Sequence, residues 1–427
     1  MTAAAVRPAR GGARASSLVR VPAFWVVLAL LVAGAVRMFQ LAGRFFTAYP
    51  IATVTAVVLF ALLAVPFWLF VIELDFLERE PTELLVLAFA WGGLVATSVS
   101  IRGSAALDDL VAKVGSPHFA ADWGAALAGP TVEETAKTLG VVAIVLIARQ
   151  QVNSVLDGVV YGAMVGLGFQ IAEDIVFAVG AVALAGQGDQ VQPVVATFLL
   201  RGFLSGVWSH TLFGALAGAG IGYLVVRRDR RPAHRIGAAF LAGLGAWASH
   251  VLWNSPLLSD GLGNGGLALL AVLVLKGLPP LLLILWLVRR AHDKEADYYA
   301  GHLRTLDDAD LITPAELAVL GSGSARAAAR RHAAATVGNA GKQAVRRLQR
   351  AQARLAVELS RASAEVSDGS AGSHCDEIRE QRTALRALDH PEAIAGPRSW
   401  RHTASTVLTT VVAIAVLWVA LSALGGS

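Results

Sequence analysis

Long apolar runs recur along most of the chain and restrict it to one class of structure. The 427 residues are 55% hydrophobic and 16% charged, whereas soluble domains carry roughly 25% charged residues. In lipid, backbone polar groups must bond within the chain, so such runs form helices. We predict an all-α polytopic transmembrane bundle of about eight spans plus a C-terminal ninth, with a cytoplasmic helical tail. The predicted spans are 21–36, 50–72, 82–101, 125–148, 155–180, 206–226, 236–253, 265–288 and 403–424.

The placement of arginines predicts the orientation. They flank one side of the predicted spans, whereas the loops 181–195 and 255–264 hold no Lys or Arg. The positive-inside rule then gives a multi-pass cell-membrane protein with its N-terminus and the tail 291–402 in the cytoplasm. An alternative for residues 1–36 is a cleaved signal peptide, with Ala33-Gly34-Ala35 as the cleavage site.

The same patterns predict four regions. They are a basic cytoplasmic N-terminus (1–20), an intramembrane core (21–290), a polar, partly helical tail (291–402) and a membrane anchor (403–424). In the tail, Thr313-Pro314-Ala-Glu316 has the pattern of a capped helix start. The Ala/Arg-rich stretch from Ala325 to Val366 is interpreted as a solvated helix, with attraction to anionic membrane lipid as the alternative. No nucleic-acid partner is expected. Cys375 is the only cysteine, which excludes an internal disulfide.

Four of the apolar segments carry residues that lipid tolerates poorly. A charge at the bilayer centre costs about 2.5–3.5 kcal/mol on insertion scales, so such residues usually face a protein interior and mark function. The residues are Glu133, Glu134 and Lys137; Glu173 with Asp174; His210; and His250 with Asn254. Glycines stud the fifth and sixth spans, which is typical of close helix packing.

These four positions share one predicted depth. Each lies 15–17 residues from the cytoplasmic end of its helix, or about 22–26 Å at 1.5 Å per residue. The measured intervals are Glu133 to Arg149, Asp157 to Glu173, His210 to Arg227, and Arg235 to His250. Because the helices alternate in direction, we predict a single polar layer toward the outer leaflet.

The residue types in this layer suit hydrolysis. Glu133 or Glu134 can accept a proton from water, and His250 with Asn254 can donate to an oxyanion. His210 and Glu173 can orient the water. Lys137, four residues after Glu133, shares its helix face and can pair with it. The structural alternatives are a buried ion pair, a core histidine and a helix-ending asparagine; Asp157, Asp174, Arg201 and Lys276 are interpreted as structural.

A metal centre is the competing chemistry. His210, His250 and Glu173 are ligand types that zinc accepts in catalytic sites. No His-Glu-x-x-His pair is present, so the preferred interpretation requires no cofactor, with zinc as the alternative.

The four motifs resemble those of the PrsW family of intramembrane proteases, within the clan of CAAX-type prenyl proteases and bacteriocin-processing enzymes. The family pattern is Glu-Glu-x-x-Lys, Phe-x-x-x-Glu, a His on the next span, and His-x-x-x-Asn or Asp. The matching residues here are Glu133, Glu134 and Lys137; Phe169 and Glu173; His210; and His250 and Asn254. The resemblance covers roughly residues 20–290.

The resemblance implies an endopeptidase that cuts a single-span membrane protein, such as an anti-sigma factor, near the extracytoplasmic face. It assigns the base to Glu133 and oxyanion binding to His250 and Asn254. Glu173 stands where CAAX-type members have histidine, which argues against a prenylated substrate. Two alternatives remain: an ion-coupled transporter, and a non-catalytic relative that binds membrane segments. The absence of a visible internal repeat disfavours the transporter.

Overall fold

Every regular element that the structure describes is helical. The computed structural model describes residues 20–74, 79–204, 209–257, 266–306, 308–362 and 370–394. No β-strand occurs in these ranges, so the all-α prediction is confirmed for them. The predicted anchor at 403–424 and the basic residues before Arg20 lie outside the described residues.

The chain forms two compact units, and the larger one holds the apolar helices. Two π-helical segments, Trp91–Ala96 and Phe198–Leu204, interrupt them. The helices are α1 Pro22–Ala48, α2 Pro50–Leu74, α3 Thr82–Ala90, α4 Thr97–Val114, α5 Pro117–Ile147, α6 Val155–Ala185, α7 Gln192–Thr197, α8 His210–Val226, α9 Pro232–Asn254 and α10 Gly266–Leu303.

Five helices within the described residues are long and apolar enough to cross a membrane. They are α1, α2, the continuous stretch Thr82–Val114, α6 and α9, while α8 is a shorter apolar helix. The predicted total of spans and their orientation stay predictions.

Several helices extend beyond the predicted spans, because apolar length and helix length differ. The helix that contains the predicted span 21–36 continues to Ala48, and the one that contains 82–101 continues to Val114. An arginine ends an apolar run without ending a helix, since its side chain leaves the backbone hydrogen bonds intact. The helix expected from residue 125 begins at Pro117, where the Ser116 hydroxyl accepts a hydrogen bond from the Phe119 amide at 3.0 Å.

Glycines bring α6 and α8 into backbone contact. A Cβ added at Gly162 would lie 2.1 Å from the Gly214 carbonyl oxygen, and one at Gly166 would lie 2.1 Å from the His210 carbonyl oxygen. Only residues without a side chain permit this approach, so the predicted packing role of these glycines is confirmed. The contact also fixes the first residue of α8, His210, against α6.

The second unit consists mainly of residues 289–394 of the described chain. Beyond α10 it contains α11 Pro314–Leu320, α12 Gly323–Ala362 and α13 Ser370–Ala387. The capping box at Thr313 and Glu316 is confirmed. The expectation of a solvated helix over 325–366 is wrong, because one face of α12 buries Val345 and Leu348 completely in the core of this unit.

Glu316 is the polar centre of this second unit. Its Oε2 accepts hydrogen bonds from the Arg382 guanidinium at 2.7 Å and from the Gln352 amide at 3.0 Å. Burial alone would raise the pKa of Glu316, but the hydrogen bonds from Arg382 and from the Ala393 amide outweigh it and lower the pKa below its ordinary value. The buried carboxylate is thereby fully partnered.

The contact between Gly162 and Gly214 predicts that a methyl group at this position lowers the stability of the unit. We expect Gly162→Ala to destabilise the helical membrane unit by about 1–3 kcal/mol, because its methyl group would meet the Gly214 carbonyl. Gly180→Ala, on the same helix with nothing within 4 Å of the added Cβ, is the matched control and should be neutral or stabilising. Thermal unfolding of both variants in detergent measures this, and equal midpoints would contradict the contact.

Candidate functional site

Polar side chains from α5, α6, α8 and α9 meet inside the helical membrane unit. They line a cavity of about 320 Å³, together with residues of α4 and the second π-helical segment. Among the sequence-predicted residues, five line it: Glu133, Glu173, His210, His250 and Asn254. The convergence expected from their matched depths is therefore present in the structure.

Lys137 lies behind the cavity and joins three of these helices. Its side chain is 1% exposed. Its Nζ lies 2.5 Å from Glu134 Oε1 and 2.9 Å from His210 Nδ1, and stands 4.7 Å from the centre of the Phe169 ring. The ion pair expected between Glu133 and Lys137 is wrong, since the ammonium pairs with Glu134, one turn away at i,i+3. Phe169 contacts both Lys137 and His210. The ring centres of Phe169 and His210 are 4.8 Å apart.

A carboxylate bonds one nitrogen of each histidine. His250 Nδ1 lies 2.8 Å from Glu134 Oε1, and His210 Nε2 lies 2.9 Å from Glu173 Oε2. A neutral imidazole donates through the nitrogen that faces a carboxylate and keeps a lone pair on the other. The remaining nitrogens, His210 Nδ1 and His250 Nε2, therefore act as acceptors.

Glu133 faces both acceptor nitrogens. Its Oε2 is buried and has no hydrogen-bond partner among the described residues. It lies 3.9 Å from His210 Nδ1 and 3.8 Å from His250 Nε2, beyond hydrogen-bond distance from either. The carboxylate oxygen thus lies near both nitrogens without bonding either of them. His210 Nδ1 instead accepts a hydrogen bond from the Lys137 ammonium group, and His250 Nε2 lies beside the Asn254 amide.

Glu133, His210 and His250 are residue types that a divalent metal ion binds, and an ion on His210 Nδ1 would have to replace the Lys137 ammonium group there. One ligand atom each from Glu133, His210 and His250 lies within 4.8 Å of the others. Imidazole nitrogen and carboxylate oxygen are zinc ligands, and a carboxylate on the far nitrogen of a ligating histidine is the usual supporting contact. The buried, unpartnered Oε2 of Glu133 is the observation that favours such an ion. The set differs from the one expected from sequence, since Glu173 bonds His210 instead of joining the cluster.

Asn254 is the last residue of α9 and reaches the same point. Its Nδ2 lies 3.3 Å from His250 Nε2, one turn back on the helix. Because Nε2 of His250 acts as an acceptor, the side-chain amide of Asn254 is better placed than His250 to donate to an oxyanion.

Sequence reasoning set aside two residues that the structure brings into the site, Asp174 and Arg201. Arg201, on the π-helical segment Phe198–Leu204, bonds Glu173 through Nη2 and Asp174 through Nε, the latter at 2.5 Å. The guanidinium also stacks on Phe177, 4.1 Å from the ring centre. The sequence does indicate a role for Arg201, since it is a charged residue within the apolar stretch Val194–Leu204. Its partners cannot be read from the sequence, because they are 27 and 28 positions away.

The region that matches a known protein family contains the same helices. Residues 80–286 match the model of the PrsW family intramembrane metalloproteases. All the residues of the cavity and of the histidine–carboxylate contacts lie within this range. No curated protein and no solved structure matches the chain.

The family match supports intramembrane peptidase activity. A hydrolase embedded in a membrane agrees with the apolar helices and with the buried Glu/His/His cluster. The relationship to the CAAX-type clan, expected from the motifs, stays a prediction.

Gly129 predicts a test of the position of Glu133. A Cβ at Gly129 would lie 3.2 Å from Glu133 Oε1, so Gly129→Ala should displace that carboxylate by a few tenths of an ångström. We expect peptidase activity to fall about tenfold or more, while helix α5 gains about 0.5–1 kcal/mol from the lost glycine. Activity assays paired with thermal unfolding measure the two effects.

Gly243→Ala is the control for this experiment. It lies on α9, the helix that carries His250, and nothing lies within 4 Å of its added Cβ. Unchanged activity in Gly129→Ala, at unchanged stability, would show that the Glu133 carboxylate tolerates the methyl group.

Proposed function

We propose that this protein is an intramembrane endopeptidase that hydrolyses a peptide bond of a single-span membrane protein, such as an anti-sigma factor, near the extracytoplasmic face. The observation that carries the proposal is the unpartnered Oε2 of Glu133, buried between two histidine nitrogens in a polar cavity. A carboxylate held without a donor in a low-dielectric site is a group prepared to accept a proton.

Each polar residue of the cavity has its own role in the proposed peptide hydrolysis. Glu133 takes a proton from water as the water attacks the carbonyl carbon, and returns it to the amine as the carbon–nitrogen bond breaks. The Asn254 amide donates to the oxyanion that forms on the carbonyl oxygen. Glu134 and Glu173 hold the two imidazoles in a fixed orientation. Arg201 in turn holds Glu173 beside Asp174.

Glu133, His210 and His250 would hold a metal ion in this centre. When bound, zinc would lower the pKa of water and polarise the carbonyl group. In the structure, Oε2 of Glu133 faces the two histidines, while Oε1 lies beside Gly129.

Removal of the proposed base should abolish turnover. We expect Glu133→Gln to reduce cleavage of a single-span substrate by about 10²–10⁴-fold, the usual contribution of general acid–base catalysis. The measurement is incubation of the purified variants with candidate single-span proteins, with and without a chelator. Glu83→Gln, an exposed carboxylate on α3, is the matched control and should retain the wild-type rate. Undiminished cleavage by Glu133→Gln would remove Glu133 as base.

Metal content tests the centre without reference to activity. After incubation with zinc and removal of free metal, we expect about one ion per chain in the wild type and a clear loss in His250→Ala, measured by elemental analysis. His234→Ala, which alters an exposed histidine beside Tyr223, should keep the wild-type content. An active wild type with no bound ion would favour the metal-free interpretation instead.

A further inference from the structure

The wall of the cavity formed by α4 carries two polar side chains that the proposed reaction does not use. Ser104 and Asp108 are four residues apart, so they lie on one face of the helix. Both line the cavity that contains Glu133. The hydroxyl oxygen of Ser104 and the Oδ1 atom of Asp108 are buried without a hydrogen-bond partner among the described residues.

Gly124 makes room for the Asp108 carboxylate. A Cβ at residue 124 would lie 1.8 Å from Asp108 Oδ1, so any larger residue of α5 would exclude the observed position. The carboxylate thus sits in a recess of the neighbouring helix.

Asp108 is half-buried, and its Oδ1 atom is buried without a donor. A buried oxygen without a donor is unfavourable, the more so when the group is charged and unpaired. No ion pair joins Asp108 to any residue in the described part of the chain, and its neighbour Asp109 is exposed and does not line the cavity. A ligand that supplies a donor would remove this cost.

The charge of the cavity indicates which kind of ligand group would donate to Asp108. Four carboxylates line it, and the one guanidinium among the described lining residues, that of Arg201, is engaged by Glu173 and Asp174. Asp108 is left without a cation among the described residues. A positively charged group is therefore favoured over a neutral one, and an acidic group is disfavoured.

We propose that Asp108, assisted by Ser104, binds a Lys or Arg side chain of the membrane-anchored substrate, so that this enzyme selects substrates with a basic residue near the cleaved bond. This inference rests on the proposed function, because it assigns the cavity to a peptide. A basic side chain lies most readily at the end of a transmembrane segment, which places the cleaved bond close to that end.

A peptide series tests the selection apart from the chemistry. The probes are three fluorescent peptides, each with the same Leu/Ala transmembrane segment and one flanking residue that is Arg, Gln or Glu. Binding is measured by anisotropy in detergent to the full-length Glu133→Gln protein, which lacks the proposed base. We expect the Arg peptide to bind about tenfold more tightly than the Gln peptide, equivalent to about 1.4 kcal/mol, and the Glu peptide to bind most weakly.

Substitutions on α4 assign the preference to Asp108. In the same background, Asp108→Asn should bring the Arg-to-Gln affinity ratio close to one, and Asp108→Lys should favour the Glu peptide. Asp109→Asn removes the same charge from the adjacent exposed position and should leave the ratio near ten. Thermal unfolding verifies that each variant is folded.

The outcomes separate this inference from the proposed function. Equal affinity of the Glu133→Gln protein for the three peptides, or no binding of any, overturns the selection of basic residues before any substitution on α4 is made. A preference that survives Asp108→Asn overturns the role of Asp108. Failure of the protein with Glu133 intact to cleave any of the peptides or candidate proteins bears on the proposed function, while the binding result stands by itself.

Discussion

The burial of the Lys137 ammonium group is the interaction on which the site depends. An ammonium group in a low-dielectric interior is stable only when it is paired and hydrogen-bonded. Lys137 obtains its partners from three helices: Glu134 on its own helix, the Phe169 ring on α6 and His210 on α8. Glu134 extends the connection to His250 on α9. Loss of α6 or α8 would take a partner from the ammonium group, and loss of α9 would take one from Glu134, so the four helices share an electrostatic requirement.

The glycine contacts provide the second condition, which is geometric. Contact between the backbones of α6 and α8 at Gly162 and Gly166 brings Glu173 within hydrogen-bond distance of His210. A hydroxyl–amide contact from Thr211 to Gln170, at 3.0 Å, lies in the same region of the interface. Packing without side chains thus sets the distance between the two polar groups.

Hydropathy and motif order predict much of this organisation from sequence. The apolar runs locate most of the helices, and the similar intervals along four of them, 15–17 residues, identify residues that meet. The ends of α1 and α4 were missed because Arg37 and Arg102 end apolar runs while the backbone hydrogen bonds continue. The tail was misjudged because Val345 and Leu348 are dispersed among arginines and alanines, and only the packed helices show that they share a buried face.

The pairings within the site are harder to predict than its membership. Spacing allows Lys137 to reach either Glu133 or Glu134, and the position of His210 on another helix decides for Glu134. Arg201 bonds residues of α6 that are distant in sequence. That Asp108 and Glu133 each have a buried oxygen without a hydrogen-bond donor can be seen only in the folded chain, because it depends on the side chains of every neighbouring helix.

The crossing of α6 and α8 also restricts where the bundle can open. Because glycine meets carbonyl directly along this seam, the two helices cannot separate without losing the backbone contacts at Gly162 and Gly166. Any opening that preserves these contacts must therefore occur between other helices of the unit.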